Sequence, residues 1–186
     1  MLVMILLLVL VPQTRTPGFW SRAEAEIRRL PPSAFTSTPP AIRQQLERIG
    51  CTIPQPSGPG GRASKSPSNL IHGDFAAKGQ TDWAALCSRQ GKSSVVIIWG
   101  GPARCPSSFG ERRDVDFLQI VEPDQAGFSR GIAAAPGDYI LRMHAAFGGA
   151  KPPPITHLGI DDEFLGKGSV VFYCDAGKWL QLTGMD

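Results

Sequence analysis

The sequence predicts a mainly β fold of the α+β class, in which antiparallel hairpins form one or two small sheets, preceded by two short N-terminal helices. Three observations support this prediction. From residue 69 onward, short apolar runs alternate with turn residues, as in antiparallel strands. The 17 prolines and 21 glycines favour a loop-rich domain over a helical bundle. Two segments before residue 51 place apolar residues at helical spacing.

Two hairpins are predicted at the centre of the β-rich part. The runs DWAALCS (82–88) and SSVVIIW (93–99) flank the turn RQGK, and the second run is rich in the β-branched residues that central strands favour. The segment GSVVFYCDAGKWLQLTG (168–184) contains a second hairpin that turns at DAGK. These two hairpins predict the antiparallel pairing of the fold.

The chain between the hairpins is predicted as strands separated by long loops. The runs DVDFLQIV (114–121) and DYILRMHAAF (138–147) are predicted as strands. Glycine and proline clusters predict loops at 100–113 and 122–137. Because loops of such length in a compact domain often carry function, these two are the favoured recognition surfaces.

The chain is long enough for one domain, with an additional segment at its N-terminal end. Its 186 residues allow a single real core. Residues 15–50 are predicted as a helical segment, with one helix in GFWSRAEAEIRRL (18–30) and another in AIRQQLERIG (41–50). The stretch 51–68 is rich in Pro, Gly and Ser and is predicted as an exposed linker. Residues 69–186 then form the β-rich domain.

The first residues predict export. An apolar run from Leu2 to Val11 is stopped by Pro12, and it has about half the length of a membrane-spanning helix. A signal peptide over residues 1–14 is therefore favoured, which places the protein in the periplasm or outside the cell with no transmembrane span. An uncleaved anchor, a misassigned start codon and a buried N-terminal strand remain alternatives.

The charge distribution argues against nucleic acid as a partner. The formal net charge is only +3. Residues 12–66 hold eight Arg and Lys against three acids (8 − 3 = +5), and residues 67–186 hold eleven against thirteen (11 − 13 = −2). The positive charge therefore belongs to the N-terminal segment, whereas the predicted domain is slightly acidic.

The four cysteines predict disulfides if the protein is exported. An even number of cysteines in an oxidising compartment is typical of a disulfide framework, and the absence of a CxxC spacing disfavours zinc. Three pairings of Cys51, Cys87, Cys105 and Cys174 are possible. Topology favours Cys51–Cys87, which would tie the N-terminal segment to the sheet, and Cys105–Cys174, which would tie a long loop to the last hairpin.

The stretch HGDFAAKGQTDW (72–83) has the frame of a calcium-binding loop. Such loops turn alternate oxygen ligands inward and place a glycine at the sharp bend. The segment resembles the GDFNGDGKTDLAV pattern of FG-GAP and VCBS repeats, which form the blades of integrin-type β-propellers, and it matches that pattern at Gly73, Asp74, Phe75, Gly79, Thr81 and Asp82. The resemblance implies one or two blade-like sheets, and the whole chain also resembles uncharacterised secreted bacterial proteins.

The loop departs from this pattern at two ligand positions. Ala76 supplies no oxygen where the third loop position needs one, and Lys78 places a cation at the fifth position. The loop positions Asp74, Ala76, Lys78, Gly79 and Asp82 therefore predict a degenerate calcium loop that holds no metal. We expect the Lys78 ammonium to take the place of the cation and to pair with Asp74 and Asp82.

No catalytic motif accompanies these features. The sequence has no HExxH, GxSxG or glycine-rich phosphate loop, so it predicts no catalytic residue, cofactor or metal ligand set. The favoured function is a secreted, non-catalytic binding or envelope-associated module whose partner is an extracellular or envelope protein or a glycan. The alternative is a small metal-dependent hydrolase that uses His72, His144 or His157 with Asp161.

The aromatic residues of the predicted strands allow two interpretations. They are Trp83, Trp99, Phe172, Tyr173 and Trp179. Aromatic residues on strands more often belong to the core and to cross-strand pairs than to a platform for carbohydrate, so the core interpretation is favoured.

Overall fold

The computed structural model describes residues 18–57 and 66–185. The predicted signal peptide (1–14) and residues 58–65 of the predicted linker lie outside the described residues. Within them, the fold is mainly β with antiparallel sheets and helices in the N-terminal segment, as the sequence predicts. The helices are α1 (Phe19–Ala25), α2 (Pro40–Arg48) and α3 (Gly137–Phe147). The strands are β1 (Arg29–Leu30), β2 (Ile53–Pro54), β3 (Leu70–Gly73), β4 (Asp82–Arg89), β5 (Lys92–Ile98), β6 (Ser108–Arg113), β7 (Leu118–Glu122), β8 (Gln125–Phe128), β9 (Arg130–Ala135), β10 (Gly159–Phe164), β11 (Gly168–Asp175) and β12 (Lys178–Thr183).

Two four-stranded antiparallel sheets carry the fold. The first sheet has the order β3-β4-β5-β6 and the second has the order β12-β11-β10-β9. Both predicted hairpins are present, because β4 pairs with β5 and β11 pairs with β12. The short pairs β1-β2 and β7-β8 lie beside these sheets.

The two sheets pack face to face around a shared core. Along β4, Ala84 and Leu86 lie in this core, whereas Ala85 and Cys87 lie in a cluster on the opposite face. The second sheet contributes Ile160 from β10 to the shared core. The strict alternation follows from the two-residue period of a strand, so each sheet has an inner and an outer face.

The outer faces are covered by helical elements. The N-terminal segment covers the outer face of the first sheet, where Leu46 of α2 and Ile53 of β2 are fully buried. Helix α3 covers the outer face of the second sheet through Ile140, which packs with Val171 and Tyr173. The molecule is thus layered as helical segment, sheet, sheet and helix.

The N-terminal segment and the first part of the predicted linker pack against the rest of the domain more extensively than the sequence predicts. Helix α1 ends at Ala25, before the predicted end of the 18–30 helix, because Arg29 and Leu30 pair as β1 with β2 and two prolines follow. The first part of the predicted 51–68 linker is also packed: Ile53 is fully buried and Gln55 is nearly so. An exposed linker over this part was therefore a wrong prediction.

The predicted strand at 138–147 is helix α3, which corrects the sequence interpretation. An Asp138–Arg142 ion pair at i,i+4 spacing supports the helix on its exposed side. Ile140 is buried and Leu141 beside it is exposed, which is compatible with a helix that covers a sheet with one face. The apolar residues of this run therefore follow the helical rather than the two-residue period.

Three strands occupy segments that the sequence predicts as loops. β6 lies within 100–113, and β8 and β9 lie within 122–137. Conversely, residues 114–117 of the predicted 114–121 strand form a 3-10 helix that leads into β7. The small residues of RGIAAA in β9, an edge strand that pairs with β10, give only a weak apolar signal in the sequence.

Both disulfides join separate parts of the chain. Cys51 pairs with Cys87 and Cys105 pairs with Cys174, with Cα atoms 5.1 and 6.0 Å apart. These are the pairs that topology favours in the sequence. The first ties the N-terminal segment to β4, and the second ties the loop before β6 to β11 of the other sheet.

Candidate functional site

An aromatic cleft opens where the inner faces of the two sheets diverge. We use the term aromatic cleft for a cavity of about 530 Å³ between β6 of the first sheet and β10, β11 and β12 of the second. Its walls are formed mainly by Phe109, Phe117, Phe164, Val170, Phe172 and Trp179. Its volume and apolar lining are those of small-molecule binding sites.

The aromatic side chains contact one another across the two sheets. The Phe109 ring of β6 lies 4.3 Å from the Phe172 ring and 4.6 Å from the Trp179 ring, measured between centroids. On the other side of the cleft, the Phe117 and Phe164 rings are 5.3 Å apart in an edge-to-face arrangement. Such pairs are favourable beyond their burial, so the rings hold one another in place.

The loop before β6 fixes the tryptophan end of the cleft. The Trp179 indole N–H donates to the Pro106 carbonyl at 2.8 Å, and the Trp99 indole N–H donates to the Ser107 hydroxyl at 3.0 Å. The two indoles are stacked with centroids 6.1 Å apart. Cys105, disulfide-bonded to Cys174, anchors the same loop. The position of Trp179 is therefore set from both sheets.

A buried arginine joins the sheets at the floor of the cleft. The Arg130 side chain is fully buried, and its Nε and Nη2 atoms donate to the two carboxylate oxygens of Asp162 at 2.9 and 2.7 Å. Its Nη1 donates to the carbonyl and hydroxyl oxygens of Ser93, and its Nη2 also donates to the Gly110 carbonyl. All five guanidinium N–H groups are thus used, as burial of this charge requires.

The Arg130 plane also contributes to the aromatic cluster. Its guanidinium carbon lies 4.7 Å from the centroid of the Phe117 ring, within the range of a cation–π contact. Since Asp162 is neutralised by Arg130, the floor of the cleft offers no free charge to a ligand. The floor therefore presents no uncompensated charge and no free hydrogen-bond donor of Arg130 to a ligand.

The sequence identified only part of this site. The sequence favours Trp99, Phe172 and Trp179 as core and cross-strand residues, and the structure places all three in ring contacts at or beside the cleft. Phe109 and Arg130 were missed, since both lie in segments predicted as loops. Arg130 lies two residues before the apolar Ile132, so a strand would place both side chains on the same, inward face. The sequence alone does not show which acid pairs with Arg130.

The segment predicted as a degenerate calcium loop connects β3 to β4, and its last acid, Asp82, organises the turn. Asp82 is fully buried, and its carboxylate accepts hydrogen bonds from the Ala76 amide at 3.0 Å, the Gln80 side chain at 2.8 Å and the Gly100 amide at 2.9 Å. Gly79 has a φ of +84°, the left-handed conformation that glycine adopts freely at a bend. Hydrogen bonds to Asp82 therefore organise the turn.

The expected pairing of Lys78 with the two loop acids is not present. Lys78 is exposed, and the ion pairs of the described residues do not include it. Both carboxylate oxygens of Asp82 already accept hydrogen bonds, which leaves the ammonium in water at no desolvation cost. Asp74 is partly buried at the start of the loop.

The histidines of the alternative hydrolase occupy separate places. His72 on β3 packs against Trp83 with ring centroids 4.9 Å apart, on the first sheet. His144 belongs to α3, where its Nδ1 lies 3.2 Å from the Gly148 carbonyl. His157 stacks on Tyr173, and both of its ring nitrogens lie 3.0 Å from backbone carbonyls, those of Leu158 and Cys174.

No metal centre is assembled from these groups. Among residues 18–57 and 66–185, three or more His, Cys, Asp or Glu side chains do not come together in a way that could hold a metal ion. Asp161 instead accepts a hydrogen bond from the Tyr139 hydroxyl at 2.7 Å, on the outer face of β10. The structure therefore does not bring the histidines and Asp161 together as one site.

The acidic run of β10 is electrostatically unusual. Burial raises the pKa of Asp161, and the hydrogen bond from Tyr139 offsets only part of this effect. The pKa of Glu163 is also raised, first by burial and then by the negative charges of Asp161 and Asp162. Both acids thus favour the protonated form more than free carboxyl groups do.

Comparisons with known proteins give no match for this chain. The chain matches no protein-family model, no curated protein sequence and no solved structure. The local resemblance of residues 72–83 to FG-GAP repeats stays a prediction. Of the helices that the structure describes, none has both the length and the hydropathy that a membrane crossing requires.

Proposed function

We propose that this protein is an exported, non-catalytic binding module whose ligand occupies the aromatic cleft. The observation that carries the proposal is the cleft itself, where five aromatic rings and Val170 surround a cavity of about 530 Å³. Binding of an apolar ligand to such a surface is favourable, because it removes apolar area of both partners from water. The two disulfides support export, since such bonds persist in oxidising compartments.

The composition of the cleft favours an apolar ligand over a glycan. Recognition of a sugar needs polar groups that are free to exchange hydrogen bonds with hydroxyls. Arg130 and Asp162, which lie at the floor, use their hydrogen-bonding groups on one another and on backbone atoms. The four phenylalanines of the walls offer no polar atom to sugar hydroxyls. The remaining polar side chains of the lining are Arg112, Lys167, Ser169 and Gln181.

We also infer that the 74–82 loop descends from a calcium loop of the FG-GAP type and now acts as a structural turn. The inference is supported by the flanking strands β3 and β4 and by the glycine bend at Gly79. The carboxylate of Asp82 accepts amide hydrogen bonds, so it would have to give these up to ligate a cation.

A blocking variant tests whether the cleft binds ligands. Val170 lines the cleft and is 38% exposed, so Val170→Trp should fill the cavity without disturbing the core. The neutral apolar dye N-phenyl-1-naphthylamine, which fluoresces in apolar surroundings, is the probe. We expect saturable binding by the unmodified protein and an affinity lower by about tenfold or more in Val170→Trp, since loss of ~1.4 kcal/mol has that effect.

Ile120→Trp provides the matched control. Ile120 lies on β7 away from the cleft and is 40% exposed, so the same indole is added to a surface of similar exposure. Its dye affinity should equal that of the unmodified protein. Dye binding that is absent, or that is equally unaffected in both variants, would contradict the proposed site.

A further inference from the structure

Two cations at the mouth of the aromatic cleft have no acidic partner. Arg112 of β6 and Lys167 of the turn between β10 and β11 both line the cavity. Neither takes part in the ion pairs of the described residues. Arg113 next in sequence differs, because it is paired with Asp116. The mouth therefore carries positive charge that the protein itself does not compensate.

The acid that lines the cleft together with these cations is already neutralised. Asp162 also lines the cleft, but the bidentate contact with Arg130 occupies both of its oxygens. Glu111 on the same strand as Arg112 is paired with Lys92 instead. The charges of Arg112 and Lys167 are thus left for the solvent or for a ligand.

We propose that the ligand of the aromatic cleft is a small amphipathic anion, with an aromatic or other apolar body and one carboxylate. This inference rests on the proposed function, because it needs the cleft to be a binding site. The apolar body lies between the rings of Phe109, Phe117 and Phe172, and the carboxylate lies at the mouth. There it accepts hydrogen bonds from Arg112 and Lys167.

Charge complementarity favours an anionic head group over a cationic or a neutral one. A cationic head would meet two like charges at the mouth, which costs Coulomb energy even at a half-exposed site. A neutral head could accept hydrogen bonds from the two cations but would leave their positive charge uncompensated, so it gains less than an anionic head. A carboxylate matches the planar donor pattern of Arg112, as arginine forks favour bidentate carboxylate contacts.

A pair of isosteric probes separates the head group from the body. Calorimetric titration compares 1-naphthaleneacetate with 1-naphthaleneacetamide, which share one aromatic body and differ in charge. We expect both compounds to bind, with the carboxylate tighter by about tenfold, as charge-assisted hydrogen bonds imply. The difference should shrink in high salt, because the mouth is open to solvent.

Two double variants, each of which removes two positive charges, test whether the preference for the carboxylate comes from Arg112 and Lys167. In Arg112→Gln/Lys167→Gln, the affinity for the carboxylate should fall to that for the amide, while the affinity for the amide stays the same. Lys78→Gln/Arg89→Gln removes two exposed cations that do not line the cleft and take no part in the ion pairs of the described residues, and it should retain the tenfold preference. Melting curves confirm that each variant is folded before titration.

The outcomes distinguish this inference from the proposed function. Equal affinity for the two probes in the unmodified protein would overturn the anionic ligand but leave a binding cleft. A preference that survives in Arg112→Gln/Lys167→Gln would overturn the role of these cations. Failure of both probes to bind would overturn the cleft as a site, and the anionic ligand with it.

Discussion

Neighbouring acids on β10 show how strongly the environment of a single residue decides its chemistry. Asp162 faces inward and is neutralised by the bidentate contact with Arg130. Asp161 faces outward beneath α3, where its Oδ2 atom accepts a hydrogen bond from Tyr139 and its Oδ1 atom has no hydrogen-bond partner. A buried carboxylate without a counter-ion is costly when charged. The raised pKa of Asp161 reflects this cost.

The Asp161 carboxyl should therefore make stability depend on pH. Because its pKa is higher in the folded than in the unfolded protein, its stabilising contribution is full below the unfolded pKa and is lost as pH rises through the folded pKa. Asp161→Asn stays neutral at every pH. Its melting temperature should match the unmodified protein near pH 3 and exceed it by about 2–4 °C at pH 7, in thermal scans across this range.

Asp124→Asn is the control for this titration, since Asp124 is exposed in the turn between β7 and β8. It should change the melting temperature little and without a trend in pH. A pH-independent offset between Asp161→Asn and the unmodified protein would contradict a role for the buried charge.

Helix α3 is the element that the sequence predicts least well, and the reason lies in its packing. The 138–147 run is apolar enough to suggest a strand, but it covers a sheet through a narrow contact centred on Ile140. The Cδ1 atom of Ile140 lies close to the position that a Cβ atom would take at Gly159 on β10. The absence of a side chain there allows the helix to approach the strand.

Substitutions on adjacent positions of α3 should differ greatly in cost. Ile140→Ala removes a fully buried side chain and should lower the free energy of unfolding by about 2–5 kcal/mol. Leu141→Ala alters a side chain that is 54% exposed and should cost less than about 0.5 kcal/mol. Urea denaturation of both variants measures the difference. Equal losses would mean that α3 does not cover the sheet in this way.

The elements that sequence predicts well are those with strong local signals. The β4–β5 and β11–β12 hairpins combine alternating apolar residues with explicit turns, so their pairing follows from local chemistry. β9 has the weak pattern RGIAAA, and its position beside β10 depends on contacts distant in sequence. The aromatic character of the strands that carry Trp99, Phe172 and Trp179 is visible in the sequence. The cleft itself is not, because it depends on the tertiary contact between β6 and β11.

At the scale of the whole molecule, the layered arrangement leaves no large face of either sheet uncovered within the described residues. One face of each sheet packs on the other sheet, and the opposite face packs on the N-terminal segment or on α3. The two disulfides reinforce different interfaces of this arrangement. Cys51–Cys87 holds a helical layer, whereas Cys105–Cys174 joins the two sheets beside the cleft.

Removal of the disulfides should separate stability from binding. Their sequence separations of 36 and 69 residues imply that each pair stabilises the fold by about 4 kcal/mol on the chain-entropy model. Both Cys51→Ser/Cys87→Ser and Cys105→Ser/Cys174→Ser should therefore melt at lower temperature. At a temperature where both remain folded, only the second should bind the naphthylamine dye more weakly. Equal dye affinity in the two variants would show that Cys105–Cys174 does not shape the cleft.

The burial of Arg130 has a consequence for how a ligand reaches the cleft. The guanidinium holds Ser93 and Gly110 of one sheet and Asp162 of the other in a single set of hydrogen bonds. Parting the sheets would break the hydrogen bonds from Arg130 to Ser93 and Gly110, whereas the Arg130–Asp162 pair lies within one sheet and would persist. The bonds to Ser93 and Gly110 therefore oppose separation of the two walls. If the cleft is the binding site we propose, its ligand enters and leaves past Arg112 and Lys167, which line the cavity. The exchange rate should therefore respond to salt rather than to the stability of the fold.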